Sequence, residues 1–207
     1  MLCALVLASL PGQAHDVSVE FFAPGIVRVL KTPESATVAD RKSEVVIATP
    51  DKVKFKESTD GDVTTYKSAE LTVTVDRASG KVSFYKPDGE LLMAEGSYTF
   101  TPIESGIDKG SYKVMQSFAL ESDEPIYGVG MMQNGKMSQR GEHRKMQQSN
   151  LEDFAHFFQS IKGYGIYWDN YSPTNLNDNA TLELESQVGD AVDYYFMYGG
   201  DADGLIA

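Results

Sequence analysis

Glu152 and Asp153 are adjacent carboxylates, and His143 and His156 stand close in sequence to Glu142 and Glu152. Carboxyl pairs and histidine–glutamate sets are groups with which proteins move protons in general acid–base chemistry. Here the spacing argues against both. Neighbours in an extended segment point to opposite faces, so Glu152 and Asp153 do not converge on one bond. His156 lies among Phe154, Phe157 and Phe158, the setting of a packed strand position rather than of a base. No catalytic residue is assigned to this chain.

The segment from Met131 to Asp153 is the better candidate for a ligand site, because it is polar, glycine-punctuated and set between two apolar runs. It offers Gln133 and Asn150, whose carboxamides both donate and accept hydrogen bonds, as sugar hydroxyls require. The alternative is that both amides are consumed by backbone groups within the loop. Gly128-Val129-Gly130 lacks the third glycine and the following helix of a dinucleotide fingerprint. Asn177-Asp178-Asn179 lacks the spacing of a calcium loop and reads as a turn. Cys3 is the one cysteine, which removes intrachain disulfides and thiolate metal sites, and neither cofactor nor metal is expected.

Strands must carry this loop. Val17, Val19 and Phe21 alternate with polar neighbours, and Val27 and Val29 repeat the pattern beyond a Pro24-Gly25 turn, which makes a hairpin. Further runs are expected at 44–48, 53–56, 63–67, 70–75, 81–85, 112–120, 126–129, 144–148, 155–160, 164–168, 181–185 and 192–198, many divided by Asp-Gly or Ser-Gly turns. On the aromatic strands Tyr164 and Trp168 face away from Tyr167, and Tyr194, Phe196 and Tyr198 away from Tyr195 and Met197, so the last strand is apolar on both faces. A helical turn is expected only at 201–207, capped by Asp201. Many short strands in one chain of 207 residues imply an all-β, two-sheet antiparallel sandwich.

A formal charge of −12 disfavours phosphate backbones, so no nucleic-acid partner is expected. Residues 1–10 are apolar or small, too short a run to span a bilayer, and Pro11-Gly12-Gln13-Ala14 suits a signal peptidase. The expected organisation is a signal peptide at 1–14, a sandwich domain at 15–200 and the start of a linker or helix at 201–207, in a protein exported to a bacterial periplasm or beyond.

Tyr127-Gly128-Val129-Gly130, then Lys162-Gly163-Tyr164-Gly165-Ile166-Tyr167-Trp168-Asp169-Asn170, then Asp193-Tyr194-Tyr195-Phe196 resemble, in that order, the N-terminal domain of glycoside hydrolase family 31. The resemblance is strongest over 126–207. It implies a galactose mutarotase-like supersandwich that packs on a (β/α)8 barrel absent from this sequence, and a carbohydrate substrate. Both catalytic aspartates are expected in that barrel, so the chain alone is expected to be inactive. The parent would be a retaining α-glycosidase, with the α-xylosidase branch favoured by the Q-N-G loop and by Trp168-Asp169-Asn170-Tyr171-Ser172. In many members this loop ends in an N-x-D motif that reaches the sugar, and Asn150 stands at or near its acidic position. The alternative is a stand-alone, non-catalytic carbohydrate-binding or interaction domain.

Overall fold

The computed structural model describes residues 5–6, 16–33 and 42–206. Most of the expected signal peptide, including Cys3, lies outside them. Among the described residues sixteen strands form two sheets in which every neighbouring pair is antiparallel. The first sheet has seven strands. In spatial order they are β1 (Leu5–Val6), β2 (Asp16–Ala23), β3 (Ile26–Thr32), β16 (Val192–Tyr198), β13 (Tyr164–Trp168), β12 (Asp153–Ser160) and β10 (Ile126–Met131). The second has nine, in the order β11 (His143–Met146), β14 (Thr174–Asp178), β15 (Leu182–Gly189), β9 (Tyr112–Ala119), β8 (Leu91–Pro102), β7 (Lys81–Tyr85), β6 (Thr72–Asp76), β5 (Val63–Lys67) and β4 (Lys56–Asp60). Among the described residues no helix is long and apolar enough to cross a membrane.

Alternation decides which face each strand buries. Val17, Val19, Val27 and Val29 of the first sheet meet Val73, Val75, Val82 and Phe84 of the second, all within one core. Aromatic rings bridge the sheets: Phe84 stacks on Phe196 at 3.9 Å between centroids, and Phe118 meets Tyr194 edge-on at 5.3 Å. Tyr164 and Trp168 are wholly buried, and the indole donates to the Ser186 hydroxyl at 2.8 Å. These two rings are core, as their alternation predicts. Tyr195 lies on the opposite face of β16 and is buried there too, against Phe22, Tyr167 and the Arg28 guanidinium, which also forks onto Asp193 at 2.9 and 2.7 Å.

Three local expectations are corrected, and one strand lies where none is expected. Residues 44–48 form no strand, because the Ser43 hydroxyl accepts from the amides of Val45 and Val46 while the Glu44 amide donates to the Tyr171 hydroxyl at 2.6 Å. The run at 53–56 gives way to a strand that begins only at Lys56. The twelve residues of β8 were not anticipated, since consecutive burial of Leu92 and Met93, a buried Glu95 and a register shift between Glu95 and Tyr98 break the period of two. At the C-terminus 201–206 form turns rather than a helix, although Asp201 does accept from the Gly204 amide at 2.8 Å, as a capping residue would.

Candidate functional site

Gly128-Val129-Gly130 shapes the entry to the polar loop. All three residues have left-handed φ values, 109°, 58° and 106°, and the register of β10 against β12 shifts between the two glycines, the signature of a bulge. Left-handed geometry at a β-branched residue is strained, and Val129 holds it with its side chain buried in the core. The bulge bends the strand end, and beyond Met131, the last residue of β10, Met132 and Gln133 leave the sheet and line an open cleft of about 1120 Å³ together with residues 148–153. The cleft thus sits at the end of the β10–β12 pair.

Each wall is pinned. Gln148 forms a two-way clamp on the backbone of Phe154, its amide nitrogen donating to the carbonyl at 3.0 Å and its oxygen accepting the amide at 2.8 Å. The Ser149 amide donates to the Glu152 carbonyl at 3.2 Å, closing a turn that carries Asn150 and Leu151 at its tip. Across the cleft, Gln139 is buried and accepts from the Asn134 side-chain amide at 3.1 Å, while its backbone amide donates to the Ile126 carbonyl. Lys136 and Arg144 both donate to Glu142, and the Lys136 hydrogen bond is the main cause holding that carboxyl below its ordinary range. Exposed Met131, Met137 and Leu151 give the rim an apolar lip.

Arg140 ties this loop to the body. Its Nε donates to Asp178 at 2.7 Å and its NH1 to the carbonyls of Glu121 and Glu124 at 2.7 and 2.6 Å; the Gly141 amide adds a second bond to Asp178. The expected turn at 177–179 is therefore corrected: Asn177 and Asp178 end β14, and the buried Asp178 is an anchor. Removing the cation from a nearly buried carboxylate is strongly unfavourable. Arg140→Ala is expected to lower stability by about 2–3 kcal/mol in urea unfolding and to open 131–153 to limited proteolysis. A cleavage pattern identical to the parent's would show that the loop is held by other contacts.

Both sequence-predicted binding residues, Gln133 and Asn150, line the cleft. Neither carboxamide makes a hydrogen bond to protein among the described residues, so the loop does not consume them. Glu152 and Asp153 also border the cleft, at the start of β12. The two histidines are not brought together. His143 belongs to β11, with Nδ1 3.3 Å from the Asn177 side-chain oxygen, and His156 belongs to β12 in the other sheet. His156 Nδ1 lies 2.7 Å from the Asn170 carbonyl, which can only accept, so Nδ1 carries the hydrogen; burial pushes this imidazole below its ordinary pKa. Among the described residues no group of three or more His, Cys, Asp or Glu side chains could hold a metal ion.

Sequence reasoning missed two buried acids. Glu124 accepts from the hydroxyls of Ser160 and Tyr164, the latter at 2.6 Å, and from the Glu121 amide at 3.1 Å. Burial, reinforced by that carboxylate, pushes the Tyr164 hydroxyl well above its ordinary pKa. Glu95 of β8 holds Lys31 of β3 and so bridges the two sheets. Neither acid belongs to a motif, and each is recognisable only once its strand partners are known.

The architecture is that of a galactose mutarotase-like β-sandwich, with an amide-lined loop at one edge. The chain belongs to the family described as the glycosyl hydrolase 31 N-terminal galactose mutarotase-like domain, which matches residues 16–177. The family pattern thus reaches far into the N-terminal half, where the sequence motifs were thin. An α-xylosidase of Saccharolobus solfataricus is 29% identical over 202 residues, covering 92% of this chain and 27% of its own length. A crystal structure of a family 31 α-xylosidase from Xanthomonas citri superposes with a TM-score of 0.78 at 29% identity, over 84% of this chain and 19% of that one. A soil-metagenome α-xylosidase crystallised with xylose gives 0.79 at 21% identity over 93% of this chain and 30% of its own, a likeness of fold. The chain therefore spans about a quarter of the length of the curated relative.

Proposed function

We propose that this chain is the N-terminal domain of an exported, retaining α-glycosidase of α-xylosidase or α-glucosidase type, and that it packs on a catalytic barrel and offers Gln133 and Asn150 to the sugar. The observation that carries the site is the pair of unengaged carboxamides lining one cleft. Amides held on pinned walls can donate and accept toward neighbouring hydroxyls without first breaking bonds of their own. The α-xylosidase relatives support the sugar class, and the apolar run at 1–10 followed by small residues supports export. The two aspartates of retaining chemistry would belong to the barrel. Asn150 in place of an acid would bind a hydroxyl by a neutral hydrogen bond, worth about 0.5–1.5 kcal/mol, rather than by a charge-assisted one.

The test uses the protein extended through its barrel. Asn150→Ala and Gln133→Ala are each expected to reduce kcat/KM on p-nitrophenyl α-xyloside by roughly three- to tenfold, as loss of one hydrogen bond predicts. The 207-residue chain alone is expected to hydrolyse nothing. Unchanged kcat/KM for both variants on α-xyloside and α-glucoside would take the loop out of the substrate site. An open reading frame ending at Ala207 would turn the assignment toward a non-catalytic binding domain.

A further inference from the structure

At the β4 edge of the nine-stranded sheet, the chain places a group of lysines that nothing in the proposed function uses. Residues 52–56 alternate, with Lys52, Lys54 and Lys56 exposed and Val53 and Phe55 turned onto the core. Lys56 is directly opposite Lys67 in the β4–β5 ladder, a like-charge pair that disfavours the sheet unless something else uses it. Lys54, Lys56 and Lys67, with Phe55 and Ser68, line a shallow cleft of about 370 Å³. Among the described residues no carboxylate forms an ion pair with any of these lysines, although the protein carries a net charge of −12; Glu57 and Glu70, nearby in the chain, do not pair with them. Lys67 donates only to the Pro87 carbonyl, at 3.1 Å.

The ladder shows what accompanies the charge. Register carries the lysine row across the outer face as Lys56, Lys67, Thr72 and Tyr85, and the next row on that face is Ser58, Thr65, Thr74 and Ser83. The inward neighbours Tyr66, Val73, Val75, Val82 and Phe84 are buried, which leaves these two rows facing solvent. Cations, a rank of hydroxyls and one aromatic ring thus occupy one end of an open sheet face, whose third row, at the hairpin end, is Asp60, Val63, Asp76 and Lys81. We infer that this face is a second binding surface, and that it takes an acidic polysaccharide, one bearing carboxylate or sulfate groups on a hydroxyl-rich backbone.

Three alternatives fit less well. Lysines on an edge strand can serve only to block edge-to-edge pairing, but that role does not account for Lys67 on the second strand or for the facing hydroxyl row. Duplex nucleic acid presents one charge per about 1.7 Å, too dense a polyanion for a few lysines to hold against the rest of an acidic protein. A lipid surface calls for apolar side chains to enter it, and the two rows supply none. The two clefts share no lining residue. Occupancy of one site leaves the other open. The inference does not rest on the reading of the cleft.

The experiment compares the 207-residue chain with Lys54→Gln/Lys56→Gln/Lys67→Gln, and with Lys42→Gln/Lys109→Gln/Lys145→Gln, which changes net charge equally at exposed lysines elsewhere. Affinity electrophoresis in gels containing polygalacturonate, dextran or neither reads binding, with circular dichroism to confirm folding. The parent is expected to be retarded by polygalacturonate and not by dextran, the first triple variant to lose at least about tenfold in affinity, the second to keep it, and binding to weaken roughly tenfold between 50 and 200 mM salt. Absence of retardation at low salt, or equal loss in both triple variants, would overturn the assignment. Stronger binding to phosphatidylglycerol vesicles or to duplex DNA than to polygalacturonate would overturn it in favour of those partners. Loss of α-glycosidase activity in the extended Gln133 and Asn150 variants bears on the cleft alone, so the two readings fail separately.

Discussion

Lys31→Met is expected to be among the most damaging single substitutions outside the backbone, lowering stability by about 3–5 kcal/mol. Lys31 enters the core from β3 with no exposed side-chain surface and meets Glu95 of β8 at 2.6 Å and the Gln116 side-chain oxygen of β9 at 3.0 Å. Glu95 also accepts from the Tyr194 hydroxyl and the Val82 amide, both at 2.6 Å, and the ammonium lies over the Tyr98 ring at 4.2 Å. Burial pulls the Lys31 ammonium below its ordinary pKa and Glu95 opposes that pull. Methionine fills the space yet leaves the Glu95 carboxylate without a cation between the sheets, and it is this stranded charge rather than the lost contact that sets the magnitude. Lys31→Met/Glu95→Gln should therefore be more stable than Lys31→Met alone, despite carrying one more substitution. Urea midpoints at neutral pH measure both. A loss under about 1 kcal/mol for Lys31→Met would mean that water reaches Glu95.

Gly130→Ala is expected to cost a similar 3–5 kcal/mol, the range in which displaced backbone places a single change. A Cβ there would lie 2.0 Å from the Asp153 carbonyl oxygen and 2.7 Å from the Phe154 Cα, and φ is left-handed as well. Neither neighbour is a side chain that can swing aside, so β10 must separate from β12 at the base of the cleft. The effect should reach the site: chemical shifts of Met131 to Gln133 and of 149–153 are expected to move together. Gly135→Ala is the control, since it has a left-handed φ of 68° but nothing within 4 Å of its Cβ. It carries the conformational penalty without the collision, about 1 kcal/mol. Equal losses for the two variants would assign the motif glycine to φ alone.

The contrast between these sites shows what could be read along the chain. Periods of two placed the sandwich and its hairpins because a strand buried on one face writes its orientation in every second residue, as Val17, Val19 and Phe21 do. The polar loop and its two amides were legible for the complementary reason, since a glycine-bounded polar run between apolar strands has nowhere to be but the surface. Elements that break the period were not legible. In β8, Glu95 occupies a core position and Leu92 and Met93 are buried in succession. At the end of β14 the run Asn177-Asp178-Asn179 reads as a turn until Arg140 supplies the partner for Asp178.

By itself the sequence determined the all-β class, the pairing of the N-terminal hairpin, the family through its glycine and aromatic strands, and the loop that bears Gln133 and Asn150. Only the tertiary structure decided that these two amides line one cleft and remain unengaged, that Lys31 and Glu95 form a buried pair, and that Lys54, Lys56 and Lys67 share an open face with a row of hydroxyls. The physical reason is range. Strand period and turn chemistry are set by residues within a few positions of one another, whereas Lys31 and Glu95 are 64 residues apart and their charges are bearable in a core only because two sheets bring them into contact.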